Sequence, residues 1–404
     1  MRRFSRVTLI VLLAVTAARA QGDEPAPALK ASALLDATQM KGPHHTIAEA
    51  VQTPGFYHVF TVTSSYGTFE ANGKSQVPVR IKEIEAIVAL KDVNEGAVVA
   101  KAAGESVVKT GANVAHAVTE PVDTAKGIGG GVKKMGVNIG RRTKRAVDGA
   151  TSDAPAPEGE SGAGNTAASA GKSVVGLNGA VRKWAQRVGA DPYTSNPVLK
   201  GALEHIAKLD VAGGIAAKVA VPVPSVVSTT GSVGNLVWGA DPEQVRKTNE
   251  ERAREIGASP EGAKAFFLNG VLTLTMQTRL VAALHAVKVP GVGDYLASAA
   301  EAADEREALF FVESAEMLLA EHKAAPVASV LTDSRAILAK RASGEGVLLL
   351  PIDWLRQSAS STAQAKELAS RAKAELGATS LRLKLTGRTS DAAARELTAL
   401  GWKR

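Results

Sequence analysis

DYLASAAEAADEREALFFVESAEMLLAEHKAAPVASVLTDSRAILAKRASGEGVLLLPIDWL, residues 294–355, changes its hydrophobic period halfway along. Before Pro326, Leu309, Phe311, Val312, Met317, Leu318 and Leu319 recur at helical spacing, and one long helix is predicted from Asp294 onward. After Pro326 the apolar residues fall into short runs at 327–331, 336–340 and 347–350, which read as strands. Beyond them 362–376 reads as a helix, 380–385 as a strand and 391–400 as a closing helix with Gly401 past its end. The tail, 326–404, is therefore a small α/β unit. With one helix between its strands, its sheet should be mixed.

Upstream, 173–325 reads as a helical domain. Leu177, Val181, Trp184 and Val188 share one helix face, Val198, Leu203, Ile206 and Leu209 the next, and Met276, Leu280, Leu284 and Val287 another. Asp241-Pro242-Glu243 and Ser259-Pro260-Glu261 each supply a capping oxygen, a proline for the first helical position and an acid in the first turn. The apolar run 211–238 contains Pro222, Pro224 and Lys218, so it reads as a buried helix and turn rather than a membrane span. Nearer the start, 55–74 reads as strand, turn and strand running into Asn72-Gly73. A helix follows, with Val77, Ile81, Ile84 and Val88 on the face that can cover the hairpin. The fold class expected is α+β, mostly α-helical: an N-terminal β-hairpin with amphipathic helices, a central helical bundle and a small C-terminal α/β unit.

Charge is concentrated in one place. Arg2, Arg3 and Arg6 precede an apolar run from Val7 to Val15, and Ala18-Arg19-Ala20 places small residues where a signal peptidase reads, so 1–20 is expected to be a signal peptide. Without it the chain carries about +4, because four arginines and no acids leave with it from a total of +8. Residues 97–147 alone hold nine basic and three acidic residues, a net of +6. The rest is mildly acidic. Val107, Gly111, Val114 and Val118 begin a small apolar face in this stretch, and Pro121 with Gly129, Gly130 and Gly131 argues for two short helices rather than one rod.

Three readings of 97–147 compete. Its cationic end, Lys126, Lys133, Lys134, Arg141, Arg142, Lys144 and Arg145, could meet an anionic membrane surface or a cell-wall polymer. The same charges could bind nucleic acid, which export and the lack of interleaved aromatics disfavour. Otherwise the small face packs on the protein's own helices and the charges are solvated. Residues 148–172 contain no apolar side chain larger than alanine and read as a disordered linker, leaving 21–96 as the opening hairpin-and-helix segment. With no cysteine, a disulfide scaffold and a thiolate metal site are excluded.

Catalytic signatures are sparse. Gly164 to Ser173 imitates a phosphate loop but spaces its glycines by six residues instead of four, and no strand precedes it. His44 and His45 lack an H-E-x-x-H context, and the histidines read as surface or loop residues, so no metal and no cofactor is expected. Ser65, Tyr66 and Glu70 cluster at the hairpin turn and need no role beyond turn chemistry. Glu301, Asp304, Glu305, Glu307, Glu313, Glu316 and Glu321 read as the solvated face of the long helix. Asp353, at the end of the 347–350 strand, is either a strand-end catalytic carboxylate or the cap of the next turn.

The fragments GTFEANG (67–73), RIKEIEAIVAL (80–90), DPYTSNPVL (191–199) and LLLPIDWL (348–355) resemble a family of exported bacterial proteins of unknown function. That resemblance implies export and transfers no catalytic residue. Two functions are thus expected. The first is a non-enzymatic binding or scaffolding protein of the periplasm or cell envelope of a Gram-negative-type bacterium, working through 97–147. The second is a periplasmic enzyme with its site between the helical domain and the tail near Asp353, which a deep polar pocket there would favour.

Overall fold

The computed structural model describes residues 23–102, 176–212 and 231–404 other than Asp333. The expected signal peptide, the linker and the seven candidate contact residues, Lys126, Lys133, Lys134, Arg141, Arg142, Lys144 and Arg145, lie outside the described residues. The chain is an α+β protein, mostly helical.

Strand β1 (Thr46–Ile47) pairs antiparallel with β2 (Val59–Ser64), and β2 with β3 (Gly67–Asn72), in the expected hairpin. Alternation places Phe60 and Val62 inward, and helix α1 (Val77–Ala102) lays Val77 and Ile84 over them. Further along α1, Ile87, Leu90 and Val93 leave the hairpin and join a second cluster. There they meet Trp184 and Val188, at the end of α2 (176–187), and Leu199, Leu203 and Ile206 of α3 (Pro197–Val211).

The helical domain continues through α4 (Gly231–Gly239), α5 (Pro242–Glu255), α6 (Pro260–Leu268), α7 (Leu274–Val287), α8 (Tyr295–Ala299) and α9 (Glu305–Ala324). Both proline-led starts form as expected, with Asp241 accepting from the Gln244 amide at 2.9 Å and Ser259 from the Gly262 amide at 3.1 Å. One expectation is corrected. The helix predicted to run unbroken from Asp294 stops after α8 and restarts at Glu305, because the Asp304 carboxylate caps the Glu307 amide at 2.9 Å while Glu307 reaches back to the Ala303 amide at 2.9 Å. Reciprocal capping satisfies amides that a continuous alanine-rich helix would otherwise have bonded.

The tail is built from β4 (Val327–Leu331), β5 (Ile337–Arg341), β6 (Glu345–Leu350), β7 (Trp354–Leu355), α10 (Ala359–Ala374), β8 (Ser380–Leu385), β9 (Arg388–Thr389), α11 (Asp391–Ala399) and β10 (Trp402–Lys403). Its five-stranded sheet has the order β10-β8-β6-β5-β4. The β4/β5 and β5/β6 pairs are antiparallel, whereas β6/β8 and β8/β10 are parallel, so the sheet is mixed. Ile337, Ala339, Val347 and Leu349 face α7 and α9, while Leu338, Leu348, Leu381 and Leu383 face α10 and α11. Burial on both faces explains why β6 reads as a continuous apolar run. Each leucine so buried contributes about 1.5–3 kcal/mol.

Helix α9 packs Ala308, Phe311, Val312, Ala315 and Leu318 into this core. Its last turns carry Glu321, which is 0 % exposed and holds both Arg341 of β5 and Lys384 of β8. Burial alone would raise the Glu321 carboxyl, but hydrogen bonds from Lys384 and Arg341 outweigh it and hold the group below the ordinary range. Its stabilising effect is therefore present above the ordinary carboxylate range and lost as pH falls below it. Replacing Glu321 with alanine should cost about 3 kcal/mol at pH 7 in urea unfolding, since two cations lose their buried partner, and the deficit should shrink at pH 3.

Candidate functional site

A cavity of about 770 Å³ opens where the hairpin, α1, the 191–195 loop, α7, α9 and the β6–β7 and β8–β9 connections converge. That volume lies within the usual range for small-molecule sites. All four stretches that carry the family resemblance contribute to it or brace it. Lys74 and Ser75 follow the first, Arg80 and Glu83 belong to the second, Asp191, Thr194 and Ser195 to the third, and Pro351, Asp353 and Trp354 to the last. Chain segments nearly 300 residues apart are thereby joined.

The back wall is a buried ion network. Arg80, 7 % exposed, donates to Glu83 at 2.8 Å, to both Glu305 oxygens at 2.7 and 2.9 Å, and to the Glu70 carbonyl at 3.0 Å. Glu83 also accepts from the Thr194 hydroxyl at 2.6 Å and the Asn196 amide at 3.0 Å, and Asn196 in turn caps α3. A charge this deep in an apolar helix face persists only when saturated with partners. The sequence held that signal, for Arg80 and Glu83 interrupt the apolar face of RIKEIEAIVAL.

Asp353 does not cap the turn that follows it. Its carboxylate accepts from the amide of His58 at 2.9 Å and from that of Lys74 at 3.2 and 3.3 Å, so it clamps the hairpin onto the tail instead of capping its own turn. Gly73 makes this approach possible with φ 105°, and Gly387 packs so tightly that a Cβ there would lie 2.0 Å from the Asp353 carbonyl oxygen. Burial raises the Asp353 carboxyl despite the two amides. His58 is a loop residue, as expected, but a buried one, 4 % exposed. Burial lowers its pKa, leaving the ring neutral at pH 7, and the Thr53 hydroxyl sits 2.9 Å from Nδ1. Nε2 has no hydrogen-bond partner among the described residues. His45 is also buried, with Nε2 3.0 Å from the Gln39 carbonyl.

The acids of α9 are likewise not a solvated face. Glu305, Glu313 and Glu316 line the cavity, and Glu307 and Glu321 are buried. Glu316 is bound bidentately by Arg279 of α7 at 2.8 and 2.9 Å. Asp191 accepts from the Thr275 hydroxyl of α7 at 2.6 Å and the Tyr193 amide at 2.8 Å. Glu313 differs from all of these. Among the described residues its only hydrogen-bonded partner is the Ser75 hydroxyl at 2.7 Å. Burial pushes its pKa up to about 7, with Glu316 and Asp353 adding to the rise and Ser75 and Arg279 opposing it. Glu313 was noticed in sequence only as one acid among seven, since its isolation depends on which neighbours are already paired.

Among the described residues no group of three histidines, aspartates or glutamates is arranged to hold a metal ion, and no helix is long and apolar enough to cross a membrane. No protein-family model matches the chain, and no curated protein or solved structure is significantly similar to it.

A raised carboxyl favours the folded state at low pH and loses that advantage as pH climbs from about 4.5 through 7. Glu313→Gln should therefore be more stable than the parent chain by roughly 1–3 kcal/mol at pH 8 and equal to it at pH 4, as measured by urea unfolding at both values.

Proposed function

We propose that the chain is an exported hydrolase that works in this cavity, with Glu313 as the proton donor to the leaving group and His58 as the acceptor of the proton from attacking water. The observation that supports this reading is selective. Of the carboxyl groups lining the cavity, Glu313 alone has neither a cation nor a backbone amide bound to it, while Glu83, Glu305, Glu316, Asp191 and Asp353 are each committed to such a partner. A group poised between its two protonation states near neutral pH suits general acid catalysis. Neutral His58, with one ring nitrogen free, suits the complementary role. Of the two functions expected from sequence, the cavity beside Asp353 favours the enzyme.

The exported setting makes envelope polymers the natural substrate class. The chain should cleave fragments of a cell-wall glycopeptide digest into pairs of products whose combined mass exceeds that of the parent fragment by one water, as followed by mass spectrometry. Glu313→Gln should lower that rate by at least about a hundredfold with the fold intact. Equal turnover by Glu313→Gln, or no product from any fragment, would remove the hydrolase reading.

The basic stretch 97–147 supplies a second, compatible element. Helix α1 runs directly into it, and its +6 charge suits contact with an anionic envelope surface through Lys126, Lys133, Lys134, Arg141, Arg142, Lys144 and Arg145. Co-sedimentation with anionic vesicles should be lost at high salt and on deleting residues 103–147, and binding that survives the deletion would refute this role.

A further inference from the structure

We propose that the mouth of the cavity is an oxyanion subsite in which Lys74 and Arg388 together hold a carboxylate or phosphate carried by the ligand. The inference rests on reading the cavity as a ligand site and not on the hydrolytic step. Both residues line the cavity, and both side chains are exposed at its opening. Asp353 fixes their spacing, because its carboxylate accepts from the Lys74 amide at 3.2 Å while its carbonyl accepts from the Arg388 amide at 2.9 Å. The backbones of the two residues are therefore both tied to Asp353. Arg388 is further held in register beside Trp354 by the parallel pairing of β9 with β7.

What makes the pair a site is the state of the acceptors around it. Neither the Lys74 ammonium nor the Arg388 guanidinium has a hydrogen-bond or ion-pair partner among the described residues. The nearest carboxylate, Asp353, has its oxygens occupied by the hairpin amides. Deeper in, Arg279 and Arg80 have taken Glu316, Glu83 and Glu305. The Thr386 hydroxyl beside Arg388 donates to the Ile352 carbonyl at 3.0 Å. The unspent hydrogen-bonding capacity of the mouth is thus cationic donors, which a ligand can meet only with an acceptor, and most strongly with an oxyanion. Gly387 keeps the geometry tight, since any side chain there would push the β8–β9 connection away from Asp353.

The test is isothermal titration of the full chain with inorganic phosphate and, separately, with glucuronate, at constant ionic strength and pH 7. The parent chain should bind one or both saturably, and which one binds decides between phosphate and carboxylate as the ligand's group. Lys74→Ala/Arg388→Ala should weaken binding by about tenfold or more. Lys200→Ala/Lys247→Ala removes the same charge from exposed positions that do not line the cavity and should leave binding within about twofold. Absence of saturable binding by the parent chain, or equal losses in the two double variants, would overturn the subsite. Anion binding without any hydrolysis would keep the subsite and discard the hydrolase, and hydrolysis without anion binding would do the reverse.

Discussion

A carboxylate taken out of water must be paired with a cation, supplied with hydrogen bonds or left protonated, and the centre of this molecule is organised by that constraint. Five carboxylates around one cavity use the first two solutions, through Arg80, Arg279, the threonine hydroxyls and the backbone amides of the hairpin and of the 191–195 loop. Each solution ties together chain segments that are remote in sequence. Arg80 links α1 to the start of α9, Arg279 links α7 to the middle of α9, and Asp353 links the tail to the hairpin. The cavity is what remains between elements held by these polar ties, and Glu313, whose bonded partner among the described residues is the Ser75 hydroxyl, is left partly to solve the problem by protonation.

Helix α9 connects this polar interior to the fold. One of its faces supplies the bundle core and the cover of the sheet, so its position is fixed by apolar burial over its whole length. The other face presents Glu305, Glu313 and Glu316 at successive turns along the cavity wall. A helix anchored this firmly by one side can hold acids on the other with little movement, which is the condition for a protonation state set by surroundings rather than by solvent. The same rigidity is reinforced at the far end by Glu321, where two strands of the sheet are drawn onto the helix.

Much of the fold was legible in the sequence because it rests on local chemistry. The proline-led starts at Asp241 and Ser259, the hairpin turning between Ser64 and Gly67 and the apolar run of Val347 to Leu350 all announce themselves within a few residues. Asp304 shows where that legibility ends. It carries a good capping side chain, yet the alanine-rich sequence around it also suits a continuous helix, and only the reciprocal bond with Glu307 decides the break. The site was less legible for a related reason. Helical periodicity gives the direction of Glu305, Glu313 and Glu316 but not what they face, and acids on a helix are normally turned to water. The Arg80 and Glu83 pair within an apolar helix face was the readable clue that this surface is covered.

The distribution of charge in the cavity bears on what could occupy it. Six acids and four cations line the cavity, and they are not mixed at random: Arg80 and Arg279 are paired within the wall, while Lys74 and Arg388 are exposed and without a hydrogen-bond or ion-pair partner among the described residues. Under the proposed subsite a ligand entering past Lys74 and Arg388 would gain attraction before it lost much water, and its uncharged portion would then meet Glu313 and His58. Under that proposal a ligand would be oriented by its charge, its anion held by Lys74 and Arg388 and a neutral polar linkage placed beside Glu313.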